Sequence, residues 1–302
     1  MAISLAYIKD LLLPGVMELP GMYEQIPMQW SKVYSKGTSQ MAVERSVSMR
    51  YVGLPYIKAE GQATTFDNNS GQRYVYTQEH LEIALGYALT RKSIDDNLYK
   101  TAFDPMNLGL LESFQQGQEI LGANLFNTAT TYQTQIGGDG VSLINTAHPV
   151  DGGTVANQPT TDVDLNETSL YNALIAIRSF RNNANLKIFA RGRKLLVPPS
   201  LEYVASRLTK TELRPGTADN DVNALIATGQ LPEGYEVMDF FTSNYSWFVL
   251  TNIKGLIYLE RIPFETTIWT DDATDNVLVK GYQRYSFGYN DWRSIWGTAP
   301  LL

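Results

Sequence analysis

Two runs with a period of two stand close together in the first quarter of the chain, and what separates them limits the folds open to it. In the first run, Val47, Met49 and Tyr51 alternate with Ser46, Ser48 and Arg50; the second, "QRYVYTQ", begins at Gln72. Alternation of this kind predicts β-strands. The connection, "GLPYIKAEGQATTFDNNSG", is much longer than a tight turn and is rich in Gly, Asn and Asp. The pair therefore predicts a projecting hairpin whose tip is too polar for a core. Such a hairpin buries little surface on itself and needs another surface to lie on.

The flanking segments predict a mixed architecture. Up to about Lys36, apolar clusters are broken by Pro14, Gly15, Pro20, Gly21 and Pro27, so a short helix in "AYIKDLLL" followed by an extended arm is expected. In "DPMNLGLLESFQQGQEILGANLFNTA", Leu110, Phe114, Gly117 and Leu121 fall on one face of a long helix. Asp104 is its expected N-cap, with Pro105 at the first helical position. Gly109, Gly117 and Gly122 each cost about 1 kcal/mol of helix propensity, which calls for close packing along the helix. Gln133 to about Asn166 is polar loop. Leu170, Leu174 and Ile177 then share a helical face, and "KLLVPPSLEYVASRL" reads as strand, proline stop and helix. Ser200 is the expected N-cap of that helix and Leu201, Val204, Ala205 and Leu208 its apolar face. "YSWFVLTNI" and "GLIYLERI" read as buried strands, and Tyr285, Phe287 and Tyr289 alternate again. Strands and helices in this order predict an α+β protein, with no repeat at solenoid periods.

Composition excludes several kinds of chemistry. The 302 residues are 44% hydrophobic, enough for a sizeable core. No run approaches the roughly 18 apolar residues of a membrane helix, and the N-terminus lacks the basic flank and cleavage site of a secretory signal, so folding in a cytoplasm is expected. There is no cysteine, which removes disulfides, thiolate nucleophiles and thiolate metal sites together. The only histidines are His80 and His148. A net charge of −7 with scattered Lys and Arg lacks the basic stripe of a nucleic-acid reader, so contact with nucleic acid is expected to be weak and non-specific.

The stretch "NTAHPVDGGTVANQP" joins His148 to Asp151 and a glycine pair. A histidine base needs a carboxylate to orient it and a nucleophile in reach, and the chain has no G-x-S-x-G elbow. Pro149 biases His148 to extended backbone, and Gly152 and Gly153 read as turn residues, so the stretch is an ordered structural loop. Of the carboxylate runs, "WTDDATDN" (269–276) has oxygen ligands at short spacing but lacks the glycine and distal glutamate of an EF-hand loop and reads as a solvated turn, while Asp95 and Asp96 of "SIDDN" (93–97) read as a helix start or turn. "GGDG" (137–140) lacks the ending of a phosphate loop, and "ARGRK" (190–194) reads as a turn entering a strand. No cofactor, metal or catalytic set is expected.

In order, "YALTRKSIDDNLY", the long helix, "NTAHPVDGGTVANQP", "LYNALIAIRSF", "KLLVPPSLEYVASRL", "NDVNAL", "YSWFVLT" and "YSFGYNDWRSIWG" resemble the major capsid proteins of tailed bacteriophages with the Hong Kong 97-type fold. Among these the chain is most similar to the Mu-like major head subunit, from about Tyr74 to Trp296. The resemblance implies an N-terminal arm (1–36), an extended E-loop (37–80) and a P domain (81–166) with its spine helix near 104–128. It further implies an A domain (167–262) and a return to the P domain (263–302). It implies a head subunit that assembles with itself, as hexamers and pentamers, into an icosahedral shell around double-stranded DNA. Scaffolding, portal and decoration or cement proteins are the expected partners, with assembly in the host cytoplasm, residence in the virion and no membrane contact. Tyr56, Ile57, Lys58 and Phe66 would be the E-loop's intersubunit contacts, while His148, Asp151, Gly152 and Gly153 would be structural. The sequence departs from branches that carry a long charged scaffolding segment at the N-terminus. For the covalent crosslink of one branch, Lys58 could be the lysine, and no motif supplies its asparagine or acid. The alternatives are an encapsulin-type nanocompartment shell and, in another class, a soluble hydrolase using "SIDDN" with "TDDATD".

Overall fold

The computed structural model describes residues 5–96, 99–211 and 222–298, with side chains from 12 to 96, 103 to 211 and 222 to 298. Asn97 and Leu98 of "SIDDNLY", and the first two residues of "NDVNAL", lie outside the described residues. In chain order the elements are α1 (Leu5–Gln25), β1 (Ser35–Thr38), β2 (Val43–Arg50), β3 (Gly71–Glu79), β4 (Leu81–Leu89), α2 (Arg91–Asp95) and α3 (Tyr99–Asn127). Next come β5 (His148–Val150), β6 (Gly153–Val155), α4 (Glu167–Arg178), β7 (Gly192–Val197), α5 (Glu202–Lys210), α6 (Ala224–Ala227) and β8 (Tyr235–Val237). The last strands are β9 (Trp247–Thr251), β10 (Leu256–Thr270), β11 (Val277–Tyr289) and β12 (Ile295–Thr298). This is an α+β fold, divided into two compact units.

The first unit comprises the chain up to Val43, Glu79–Gly122 and Tyr258–Phe287. Its sheet has the order β1-β10-β11-β4, with β11 and β4 antiparallel from Val277↔Leu89 to Tyr285↔Leu81. The segment expected as an extended arm is largely the helix α1, with Pro14 and Pro20 inside it. An interior proline costs about 3 kcal/mol, but Leu12, Val16, Leu19 and Tyr23 recur at helical spacing and are all buried. The carbonyl that Pro20 leaves without its helical donor, that of Val16, accepts instead from the Thr266 hydroxyl at 2.8 Å. Burial and this replacement bond together offset the prolines.

Helix α3 begins at Tyr99, so Pro105 lies within it and Asp104 is not its cap. Leu110, Leu111 and Phe114 are buried, followed by Gln118 and Glu119 rather than Gly117. The buried face thus swings one position away from the predicted stripe, because polar partners await there. Gln118 accepts from the Tyr23 hydroxyl at 2.8 Å and donates to that of Tyr258 at 2.7 Å. Glu119 takes the backbone N–H groups of Gln29 and Trp30. Of the three helix glycines, Gly109 and Gly117 face open space, and only Gly122 is closely packed, with Trp30 and Phe287.

The second unit comprises Glu44–Gln78, Ala123–Ile257 and the chain from Gly288. Its main sheet has the order β12-β9-β7-β8; β7 and β8 are parallel, and β9 is antiparallel to β7 and β12. "LLV" in β7 and "WFVL" in β9 are buried throughout, which is why they read as continuous apolar runs rather than alternations. α4 is capped by a reciprocal pair, Asn166 with Ser169, and buries Leu170, Leu174 and Ile177 as predicted. Ser200 does not cap α5; it lies in the 3-10 turn Pro199–Leu201 that precedes the helix, and its hydroxyl donates to Asn244 O at 2.5 Å. Two further pairs, β2–β3 and β5–β6, form separate two-stranded ribbons.

Candidate functional site

His148 lies in β5, fully buried. Its Nδ1 is 2.6 Å from Asp139 Oδ2 and its Nε2 is 3.1 Å from Asn157 Oδ1. The Asn157 amide is oriented without ambiguity, since Nδ2 faces the carbonyls of Leu143, Trp292 and Ile295 while Oδ1 also accepts from Asn145 N. Nε2 therefore donates to Asn157 Oδ1, and Nδ1 faces the Asp139 carboxyl. The imidazole stacks on Trp292 with centroids 4.0 Å apart and planes 7° from parallel. A ring with both nitrogens engaged and one face covered has no position from which to take a substrate proton. This cluster is a buried polar clasp.

Asp151 does not touch the histidine. The β5–β6 ribbon pairs Val150 with Gly153, so Asp151 and Gly152 form its two-residue turn, and Gly153 is the first residue of β6. Gly152 has φ +71°, a left-handed conformation that only glycine adopts at little cost. The turn presents the Asp151 carboxylate to two arginines of the β2–β3 hairpin: Arg50 Nε meets Oδ2, and Arg73 Nη1 meets Oδ1 at 2.6 Å. Arg50 reaches on to Asp67 at 3.1 Å, and Asp67 accepts from Gly53 N at 2.7 Å and Asn69 N at 2.9 Å. The hydrogen bond from Arg50 is the main cause holding the Asp151 carboxyl below its ordinary range. Asp67 is lowered first by the backbone N–H of Asn69, then by Gly53 and Arg50.

Beyond this root, residues 51–70 contain no strand. Tyr56, Ile57, Lys58 and Phe66 are all exposed there, Tyr56 at 81% and Phe66 at 80%. Along β2 the burial alternates with Val43, Val47 and Met49 on the exposed side, and Ser48 and Arg50 half-buried. The strand's apolar face is thus turned away from its own unit.

The two carboxylate runs do meet, around Arg91, whose guanidinium lies 3.1 Å from Asp95 and 3.7 Å from Asp275. A cation shared by exposed carboxylates neutralises them and leaves no acid–base pair. Asp271 closes its own turn by accepting from Thr274 Oγ1 and Ala273 N. Among the described residues no cluster of three or more His, Asp or Glu could hold a metal ion, and no helix is long and apolar enough to cross a membrane. In "ARGRK", Arg193 and Lys194 both pair with Glu233, at 3.3 and 3.2 Å. Asp139 and Asn157, each nine residues from His148, carry no local pattern that would have singled them out.

Residues 81–297 match the family described as "Phage capsid protein". The chain belongs to that family. This capsid protein is a structural subunit of the virion, not an enzyme, and has the Hong Kong 97-type fold. No curated protein sequence matches it. Its fold is similar to a structure of Microbacterium phage Oxtober96 (TM-score 0.55, 10% identity, 91% of each chain). It is also similar to the procapsid of bacteriophage JBD30 (TM-score 0.51, 14% identity, 98% of this chain and 76% of that one). A virus-like particle from Pyrococcus furiosus has a TM-score of 0.53 at 7% identity over 95% of this chain and 98% of its own.

Proposed function

We propose that this capsid protein is the major head subunit of a tailed phage, Mu-like in kind, whose copies close as hexamers and pentamers into an icosahedral shell around double-stranded DNA. The observation that carries the reading is the β2–β3 hairpin, which holds its apolar residues outward and ends in an exposed tip. A two-stranded ribbon is marginal alone, and exposed apolar patches mark interaction surfaces. The hairpin is read as the E-loop, within 37–80, with Tyr56, Ile57, Lys58 and Phe66 in contact with a neighbour. The chain to residue 36 is read as the N-terminal arm, 81–166 with 263–302 as the P domain, and 167–262 as the A domain. The first unit joins Glu79–Gly122 to Tyr258–Phe287, which favours pairing the two P-domain segments, whereas 123–166 and β12, read here as P domain, cluster with the second unit. Many repeated, individually weak contacts then sum to a stable particle. Scaffolding, portal and decoration proteins are its further partners, and His148, Asp151, Gly152 and Gly153 are structural.

Electron microscopy and light scattering of the expressed protein test the reading. Hollow particles containing nuclease-protected DNA in infected cells are expected. Protein cargo in place of DNA would make it a nanocompartment shell, and only monomers or dimers with scaffold supplied would refute assembly. Phe66→Asp should abolish particles and leave subunit unfolding unchanged, because the side chain is exposed; a subunit that fails to fold would place Phe66 in a core.

A further inference from the structure

The hairpin's root is held more firmly than a ribbon ending in a polar tip requires. One carboxylate, Asp151, engages both strands at once, Arg50 from β2 and Arg73 from β3. The same place is tied a second time through Asn183, which is buried. Its carbonyl accepts from Asp151 N at 3.1 Å and from Arg73 Nη1 at 2.5 Å. Its amide donates to Ser48 Oγ at 2.7 Å and Met49 O at 3.0 Å, and its Oδ1 accepts from Arg293 Nη2 at 2.8 Å. Tyr74 adds a bond from its hydroxyl to Pro149 O at 3.3 Å.

The turn that carries Asp151 is itself immobilised. Its strand β5 contains His148, clasped by Asp139 and Asn157 and stacked on Trp292. Charge-assisted hydrogen bonds of fixed geometry are the strong ones, and their value as positioning devices depends on a rigid support. Here a buried clasp supports a two-residue turn, and the turn supports the hairpin.

We propose that the β5–β6 ribbon is a bracket that sets the direction of the β2–β3 projection, with Asp151 as the positioning residue acting through Arg50 and Arg73. A projection aimed before it docks loses less freedom on docking, which is how preorganisation raises affinity. That consequence rests on the hairpin's meeting a neighbour, as proposed above. The bracket itself is a property of the lone subunit.

The test is hydrogen exchange on the full-length unassembled subunit, followed by particle yield. Asp151→Asn should lower protection of the amides of 44–50 and 72–78 by about tenfold or more, and leave those of 192–197 and 247–251 unchanged. Arg73→Gln, which also loses the bond to Asn183 O, should do the same alone and cost less on top of Asp151→Asn than it costs alone, because the two share the Asp151–Arg73 contact. Unchanged protection in Asp151→Asn, or fully additive losses, would overturn the bracket. If Asp151→Asn gives no soluble subunit, Arg73→Gln carries the test with the same two outcomes. A loosened hairpin with particles forming at the normal rate would instead remove the hairpin from assembly while leaving the bracket standing.

Discussion

His148→Ala is the most direct probe of the buried clasp, and its cost follows from three contacts. Leaving a buried polar group without its hydrogen-bond partner costs about 1–3 kcal/mol; here that group is Asp139, whose side chain is 2% exposed. Loss of the stack on Trp292 adds about 0.5–1.5 kcal/mol. Asn157 keeps its Oδ1 bond from Asn145 N, so no third orphan is created. The sum is about 1.5–4.5 kcal/mol, or roughly 0.5–1.5 M in a urea midpoint for a slope near 3 kcal/mol/M. Tryptophan fluorescence is a suitable readout, since Trp292 lies against the ring. The sign of a second substitution sharpens the test. Asp139→Asn should destabilise the native chain but restore stability to His148→Ala, where it removes a stranded charge. A midpoint shift below about 0.3 M, or an Asp139→Asn that destabilises both backgrounds equally, would refute the clasp.

Two further outcomes are expected. The carboxyls of Asp67 and Asp151 titrate below their ordinary range in the folded chain, so their hold on the hairpin is complete above the unfolded value of about 3.9 and is lost as pH falls through the lower folded values. Hairpin protection, corrected for intrinsic exchange, should be flat from about pH 8 to 5 and collapse below about pH 4; a loss centred near pH 6.5 would point to a histidine instead. Gly117→Ala, at a helix-interior site with open space around the added carbon, should raise subunit stability by about 0.5–1 kcal/mol in urea unfolding, and a destabilised subunit would show hidden packing there.

What the sequence discloses and what it hides divide along the distance over which each signal acts. The face of α4 and the buried strands β7 and β9 were legible, because periodicity and apolar runs are local. The long helix was legible in Leu110 and Phe114 but not at its start, since the Asp104–Pro105 pair mimics a cap that residues 99–103 override. α1 is hidden by two prolines, one of which, Pro20, is made tolerable by Thr266, 246 residues beyond it. His148 could be recognised as non-catalytic from missing partners. Its clasp could not be foreseen, because Asp139 and Asn157 reach it only through the folding of the intervening loop. Asp151 stands out in the sequence only by its nearness to His148, whereas its partners lie 78 and 101 residues away.

The orientation of β2 links these findings to the proposed assembly. In a lone soluble ribbon, Val47 and Met49 would be expected inward and Ser48 and Arg50 outward. The observed order is reversed: the polar residues face the bracket, and the apolar ones face away. Packing within the subunit does not demand this arrangement, since a ribbon gripped by apolar contacts would bury more surface at about 25 cal/mol per Å². A polar grip has the opposite virtue. It fixes the ribbon by directional bonds and keeps the whole apolar face, together with Tyr56, Ile57 and Phe66 at the tip, free for a second surface. An exposed two-stranded edge of this composition is an aggregation hazard in isolation, and the proposed assembly supplies a neighbour that would cover it. On this reading the charges select where the hairpin points, and the apolar residues supply what it gains on arrival.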